Sequence, residues 1–138
     1  MAFKFDIGTK SGKTYKFEGE AQGLIDKSIK DIIKGEEVSA DFAGYEFEIT
    51  GASDNSGFPA LASAPGVSKQ TALLSYETGM RQRPKREGKR PRTNKNPKGL
   101  RLRKTIVGKQ ISENIAQINM KVIKEGSKKL EEIFPPKA

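Results

Sequence analysis

The chain has no cysteine and no histidine among its 138 residues. The first absence removes disulfides and thiolate metal sites and suits a reducing compartment. The second removes the other common zinc ligand and the side chain best fitted to move protons near neutral pH, which argues against an enzyme. No cofactor, metal or small-molecule substrate is expected. Long apolar runs are also missing: nothing approaches the roughly 18 residues of a membrane span, and Met1-Ala2-Phe3-Lys4 does not open a signal peptide. The expectation is a soluble, cytoplasmic protein with no membrane partner. At 15.2 kDa it has room for a single core, so residues 1–138 are read as one domain.

Basic charge, in contrast, is abundant and unevenly placed. From Arg81 to Lys104 the chain carries twelve Lys or Arg against one acid, Glu87, whereas the rest is close to neutral and the whole sums to +9. Pro84, Pro91 and Pro97 interrupt this stretch, and it holds no aromatic residue. So much like charge on an apolar-poor segment cannot bury itself, and it is expected to stay extended until a polyanion neutralises it. Seven of the twelve are Arg, whose planar fork grips phosphate oxygens in pairs. Without aromatics to stack bases, the arm is expected to read backbone shape rather than sequence. The candidate RNA-binding residues are Arg81, Arg83, Lys85, Arg86, Lys89, Arg90, Arg92, Lys95, Lys98, Arg101, Arg103 and Lys104. A solvated linker is the plain alternative, and a non-specific duplex nucleic-acid binder of chromatin-like type is the rival with the same charge.

Outside the arm, period-two patterns dominate. Phe3, Phe5 and Ile7 alternate with charged residues, as do Tyr15 and Phe17 across the Gly8–Gly12 loop, which predicts a hairpin. Val38, Ala40 and Phe42 with Tyr45, Phe47 and Ile49 predict a second. Leu24, Ile25, Ile29, Ile32 and Ile33 recur at helical spacing, predicting an amphipathic helix over 21–34 that ends at Gly35. A short strand is read from Leu73–Leu74, another from Leu100 to Val107 that roots the arm, and a third over 116–122. Ser127 is read as the cap of a short helix through Leu130 and Ile133, stopped by Pro135-Pro136. The predicted class is mainly β (α+β): a small β-barrel-like body with one amphipathic helix, a basic extended arm at 81–104 and a short C-terminal helix.

Several motifs suggest chemistry and fail on geometry. Gly8-Thr9-Lys10-Ser11-Gly12-Lys13-Thr14 resembles a phosphate-binding loop but is one residue short between its glycines and continues into a strand, so it reads as a hairpin turn. Asp54-Asn55-Ser56-Gly57 reads as a tight turn, and neither its Asp-x-x-Gly pattern nor the two-residue half-motif Asn94-Lys95 carries a nucleotide without such a loop. Glu36-Glu37 and Glu131-Glu132 are neighbours that point apart, and read as solvated charge. The alternating aromatics are read as core rather than as a base-stacking platform.

Gly51, Asp54, Gly57, Phe58 and Pro59, followed by Arg83-Pro84-Lys85-Arg86 and Gly88, resemble the glycine-rich loop and Arg-Pro-basic-basic stretch of the archaeal and eukaryotic small-ribosomal-subunit protein six family. Arg103-Lys104-Thr105, Gly108, Ile111, Ile118-Asn119, Val122-Ile123-Lys124 and Gly126 keep the order of its strand-turn-strand region. Ala52 and Ala60 stand where that family usually has Gly and Met, and Pro91–Gly99 resembles an insertion relative to eukaryotic members. Archaeal members match better. The resemblance implies a ribosomal protein without catalytic activity that is held by small-subunit ribosomal RNA beside neighbouring ribosomal proteins. Gly57, Phe58 and Pro59 are a second candidate RNA contact, with a purely structural loop as the equal alternative.

Overall fold

A computed structural model describes residues 2–75, 79–80 and 98–134. Seven strands form: β1 (Phe3–Gly8), β2 (Thr14–Gly19), β3 (Ile32–Lys34), β4 (Glu46–Asp54), β5 (Lys69–Leu74), β6 (Leu102–Val107) and β7 (Ile115–Lys124). Five make one sheet in the order β2-β1-β7-β4-β3, and β5 pairs with β6 in a two-stranded ribbon. The mainly β class is therefore as read, and the sheet stays open rather than closing on itself.

The first hairpin pairs Phe5 with Phe17 and Ile7 with Tyr15, so its apolar residues share one face. β1 then runs parallel to β7, bringing Phe5 beside Ile118 and Ile7 beside Met120. On the far side of β7, β4 adds Phe47 and Ile49 to the same face. Phe5, Ile7, Phe47, Ile49 and Ile118 are all sealed from solvent, each contributing about 1.5–3 kcal/mol of burial. Tyr15 and Phe17 pack against this cluster, so the aromatics are core and not a platform for bases. The turn at Thr9–Gly12 is closed by backbone bonds from Gly12 to Thr9 and from Thr9 to Lys13, as a hairpin requires.

Two readings are corrected. Residues 21–34 form no long helix: a single 3-10 turn at Gln22–Leu24 gives way to loop, and Ile32–Lys34 is a strand on the edge of β4. Asp26 and Lys30 both take positive φ, 74° and 76°, which a right-handed helix cannot contain. Tertiary backbone bonds claim the loop instead, from Asp26 to Ile111, Ile29 to Lys109 and Lys30 to Ile49. Val38 and Phe42 likewise belong to no hairpin: they are buried one helical turn apart across the 3-10 segments Gly35–Glu37 and Ala40–Phe42. The partner of β4 on that edge is β3.

The short C-terminal helix, α1 (Leu130–Ile133), is present, but Lys129 occupies its cap position rather than Ser127, with no side-chain bond. Phe134 behind it stacks on Tyr15 at 5.6 Å between ring centroids and sits against Phe17 and Phe42, closing the aromatic end of the core. The Tyr45 hydroxyl donates to the Lys128 carbonyl, and burial pushes that phenol above its ordinary pKa. Among the described residues no helix is long and apolar enough to cross a membrane.

Candidate nucleic-acid interface

β5 and β6 pair antiparallel from Lys69–Val107 at one end to Leu74–Leu102 at the other. Alternation sorts the ribbon's faces: Leu74 and Ile106 turn inward onto Leu61, Ala64 and Met80, while Leu73 and its cross-strand partner Arg103 face water. Because the strands are antiparallel, residues 75–101 leave and return at the Leu74–Leu102 end. The strand foreseen at Leu73–Leu74 is thus the end of β5 and not its start, whereas the strand foreseen as the root of the arm is β6.

The candidate residues divide accordingly. Arg81, Arg83, Lys85, Arg86, Lys89, Arg90, Arg92 and Lys95, with the extended conformation expected of them, lie outside the described residues. Lys98, Arg101 and Arg103 are exposed and Lys104 is half-buried. Among the described residues none of these four has an acidic partner, although Lys13, Lys27, Lys69 and Lys121 each do. The outer face of the large sheet differs in charge. Lys4, Lys16, Lys34, Lys121 and Lys124 there stand against Asp6, Glu18, Glu46 and Glu48, so that face is close to balanced and offers a polyanion little net attraction.

Gly57, Phe58 and Pro59 lie at the other end of the ribbon. Gly57, at φ 88°, closes a turn in which its N–H bonds the Asp54 carbonyl. The buried Asp54 carboxylate accepts the Phe58 N–H at 2.8 Å, and the Lys69 ammonium stands 3.7 Å from it. That ammonium also bonds the Ser56 hydroxyl at 3.0 Å and lies 5.2 Å from the centre of the Phe58 ring. Beyond the turn the chain joins both sheets. Ala60 donates to the Ala52 carbonyl of β4, while Val107 of β6 donates to Pro59 and Leu61 donates back to Val107. A Cβ on Gly79 would stand 3.0 Å from the Pro59 ring, so the chain entering the arm also rests on this segment. Lys69 was not foreseen as part of this arrangement, because nothing local in the sequence links it to Asp54.

Among the described residues no group of His, Cys, Asp or Glu could hold a metal ion. Glu36, Glu37, Glu131 and Glu132 are exposed, and Glu131 is committed to Lys13 at 2.9 Å. The described part of the molecule is a β scaffold, and the most basic stretch of the chain lies between its strands β5 and β6.

The chain belongs to the ribosomal protein S6e family, whose model matches residues 3–135. It is 41% identical to the small ribosomal subunit protein eS6 of Methanococcus maripaludis strain C7 over 92% of this chain and 91% of that protein. Identity to eS6 of Archaeoglobus fulgidus is 41% over 99% and 98% of the two chains, and to eS6 of Methanothermobacter thermautotrophicus 38% over 97% and 96%. Membership makes it a ribosomal structural protein of archaeal type, not an enzyme.

Proposed function

We propose that the protein is a structural constituent of the small ribosomal subunit that binds and stabilises ribosomal RNA through the arm at 81–104, working in the cytoplasm beside neighbouring ribosomal proteins. Residues 1–138 act as one domain with the arm built in. The observation that carries this reading is the open end of the β5–β6 ribbon. There Lys98, Arg101, Arg103 and Lys104 stand without acidic partners among the described residues, and there the chain enters and leaves its most basic stretch. Extra charge at that point neutralises phosphates crowded where RNA helices meet, and counterions are released. Its relatives are named as small-subunit proteins, which favours ribosomal RNA over other polyanions.

Filter binding of the whole protein to small-subunit ribosomal RNA tests the proposal. With six to ten phosphates engaged, affinity falls by about 10³ to 10⁵ between 50 and 200 mM salt. A flat salt response, or competition by duplex DNA as effective as by the RNA itself, is incompatible with it. The contact suggested for Gly57, Phe58 and Pro59 is tested by Phe58→Ala: normal stability with weaker subunit incorporation supports contact, and unfolding of the isolated protein supports a structural loop.

A further inference from the structure

β4 has a gap along the edge that faces away from β7. Its first half pairs with β3, and Ile49 then exchanges backbone bonds with Lys30 and Asp31 at 2.7 and 3.0 Å. Pairing resumes only where Ala60 donates to Ala52 at 2.8 Å. Between these points the register with β7 slips between Ile49 and Gly51, a bulge of the kind that re-aims a strand beside a functional site. A cavity of about 690 Å³ occupies the gap, with Lys30 on one side, Pro59 to Ser63 on the other, and Gly51 and Asn119 lining it from the sheet.

The lining contains no carboxylate and one cation. Among the described residues the Lys30 ammonium has neither a hydrogen-bond nor an ion-pair partner. Lys30 holds φ 76°, a left-handed conformation that glycine adopts without strain and a side-chain-bearing residue does not. The backbone alone would be better served by glycine, so the lysine there points to a use for its ammonium. Asn119 is oriented too. Its carbonyl oxygen accepts from the Gln117 amide at 2.9 Å, and that amide is itself held by Asp6 at 2.7 Å. The Asn119 amide nitrogen is thereby turned to the floor, 3.7 Å from where a Cβ on Gly51 would stand. Pro59, Ala60 and Leu61 supply an apolar wall, and the same segment bonds Val107, so the gap borders the end of the ribbon opposite the one from which the arm departs.

We propose that this gap is a further RNA contact, separate from the arm and from the turn at Gly57 and Phe58, which takes one nucleotide of a single-stranded segment. Its phosphate meets Lys30, its ribose or base edge meets the Asn119 amide over Gly51, and its apolar face lies against Pro59 and Leu61. The proposal rests on the RNA-binding reading and extends it to a site that is not a charge run.

The test uses the whole ¹⁵N-labelled protein, titrated with a short single-stranded oligouridylate and with uridine monophosphate. The Gly51 amide and the Asn119 side-chain amide are expected to shift with the oligonucleotide. Lys30→Gln is expected to weaken its binding about fivefold, whereas Lys16→Gln, the same charge loss on the balanced sheet face, leaves it within about twofold. Lys30→Gly removes the backbone strain, so it is expected to raise Tm while weakening binding as much as Lys30→Gln does. That opposition of sign separates a ligand contact from a structural role. Equal losses in Lys30→Gln and Lys16→Gln, or silent Gly51 and Asn119 signals, overturn the proposal. So does saturation by uridine monophosphate as tight as by the oligonucleotide, which assigns the gap to a free nucleotide. A steep salt response with a silent gap overturns this site and leaves the arm; a flat salt response with a responsive gap does the reverse.

Discussion

Asp54 keeps its carboxylate out of water 3.7 Å from the Lys69 ammonium, joining the last residue of β4 to the first of β5. The Asp54 side chain is 3% exposed and that of Lys69 53%, so the two ends of the pair contribute unequally. Removing the exposed cation costs little, since water and salt already screen it. Removing the carboxylate strands the Phe58 N–H that it accepts. Asp54→Ala is expected to lose about 1–3 kcal/mol, and Lys69→Met less than about 1 kcal/mol, in urea unfolding. Equal losses would show that the ion pair, and not the hydrogen bond to Phe58, fixes the turn.

The ribbon is held at the same end by a second close approach. A Cβ on Gly108 would stand 1.9 Å from the Gly66 carbonyl oxygen and 2.9 Å from that of Pro65, and neither main-chain atom can swing aside. Gly108→Ala is expected to cost about 1–3 kcal/mol or more, read as a lower Tm, and to speed exchange of the Lys109 and Gln110 amides that bond Ala64 and Gly66. Gly23→Ala, with open space around the added methyl, serves as the control and leaves Tm near its original value.

These two attachments mark where the sequence could be read and where it could not. Phe3 to Ile7 and Ile118 to Val122 were legible as strands because each puts apolar residues on one face against a continuous neighbour, and period two survives. In β6 the alternation breaks at its end, where adjacent Ile106 and Val107 are both buried, in different clusters. Over 21–34 the pattern misled. Leu24, Ile29 and Ile33 do reach the core, but by a chain that turns at Asp26 and Lys30 and bonds β4 and the 109–111 segment, partners far away in sequence. Val38 and Phe42 are spaced for a helical turn, and intervening Ala40, which suggested a strand, is exposed. The glycine turn at Asp54–Gly57 was legible from its residues alone. Its bonds to Lys69 were not, because only the folded chain brings β5 to it.

Lys13 and Glu131 join the first hairpin to α1 at 2.9 Å, and their pH response follows from the direction of each shift. The hydrogen bond and charge of Lys13 hold the Glu131 carboxyl below its ordinary value, and Glu131 raises Lys13 above its own. A depressed carboxylate contributes stability that is present above its unfolded pKa and lost as pH falls through the folded one. The raised lysine contributes below its unfolded pKa and loses that contribution as pH rises through the folded value. Both groups are exposed, so the effect is small and sensitive to salt. Urea midpoints measured against pH at low salt should show a shallower acid decline in Glu131→Gln than in the wild type, and the two curves should converge in 1 M salt.

Arg101 and Arg103 stand at the ribbon's open end, exposed and without acidic partners among the described residues, whereas Lys4 and Lys16 face cross-strand Glu18 and Asp6 on the balanced sheet. If the arm and its root neutralise phosphates, each lost contact removes one counterion from the release stoichiometry, about 0.7–0.9 in the slope of log affinity against log salt. Arg101→Gln with Arg103→Gln is therefore expected to reduce the slope for ribosomal RNA by about 1.4–1.8, with Tm nearly unchanged because neither side chain is buried. Lys4→Gln with Lys16→Gln removes the same charge and is expected to leave the slope where it was. A matching fall in both pairs would mean that net charge alone attracts RNA, and that the direction given to the arm by the ribbon does not matter.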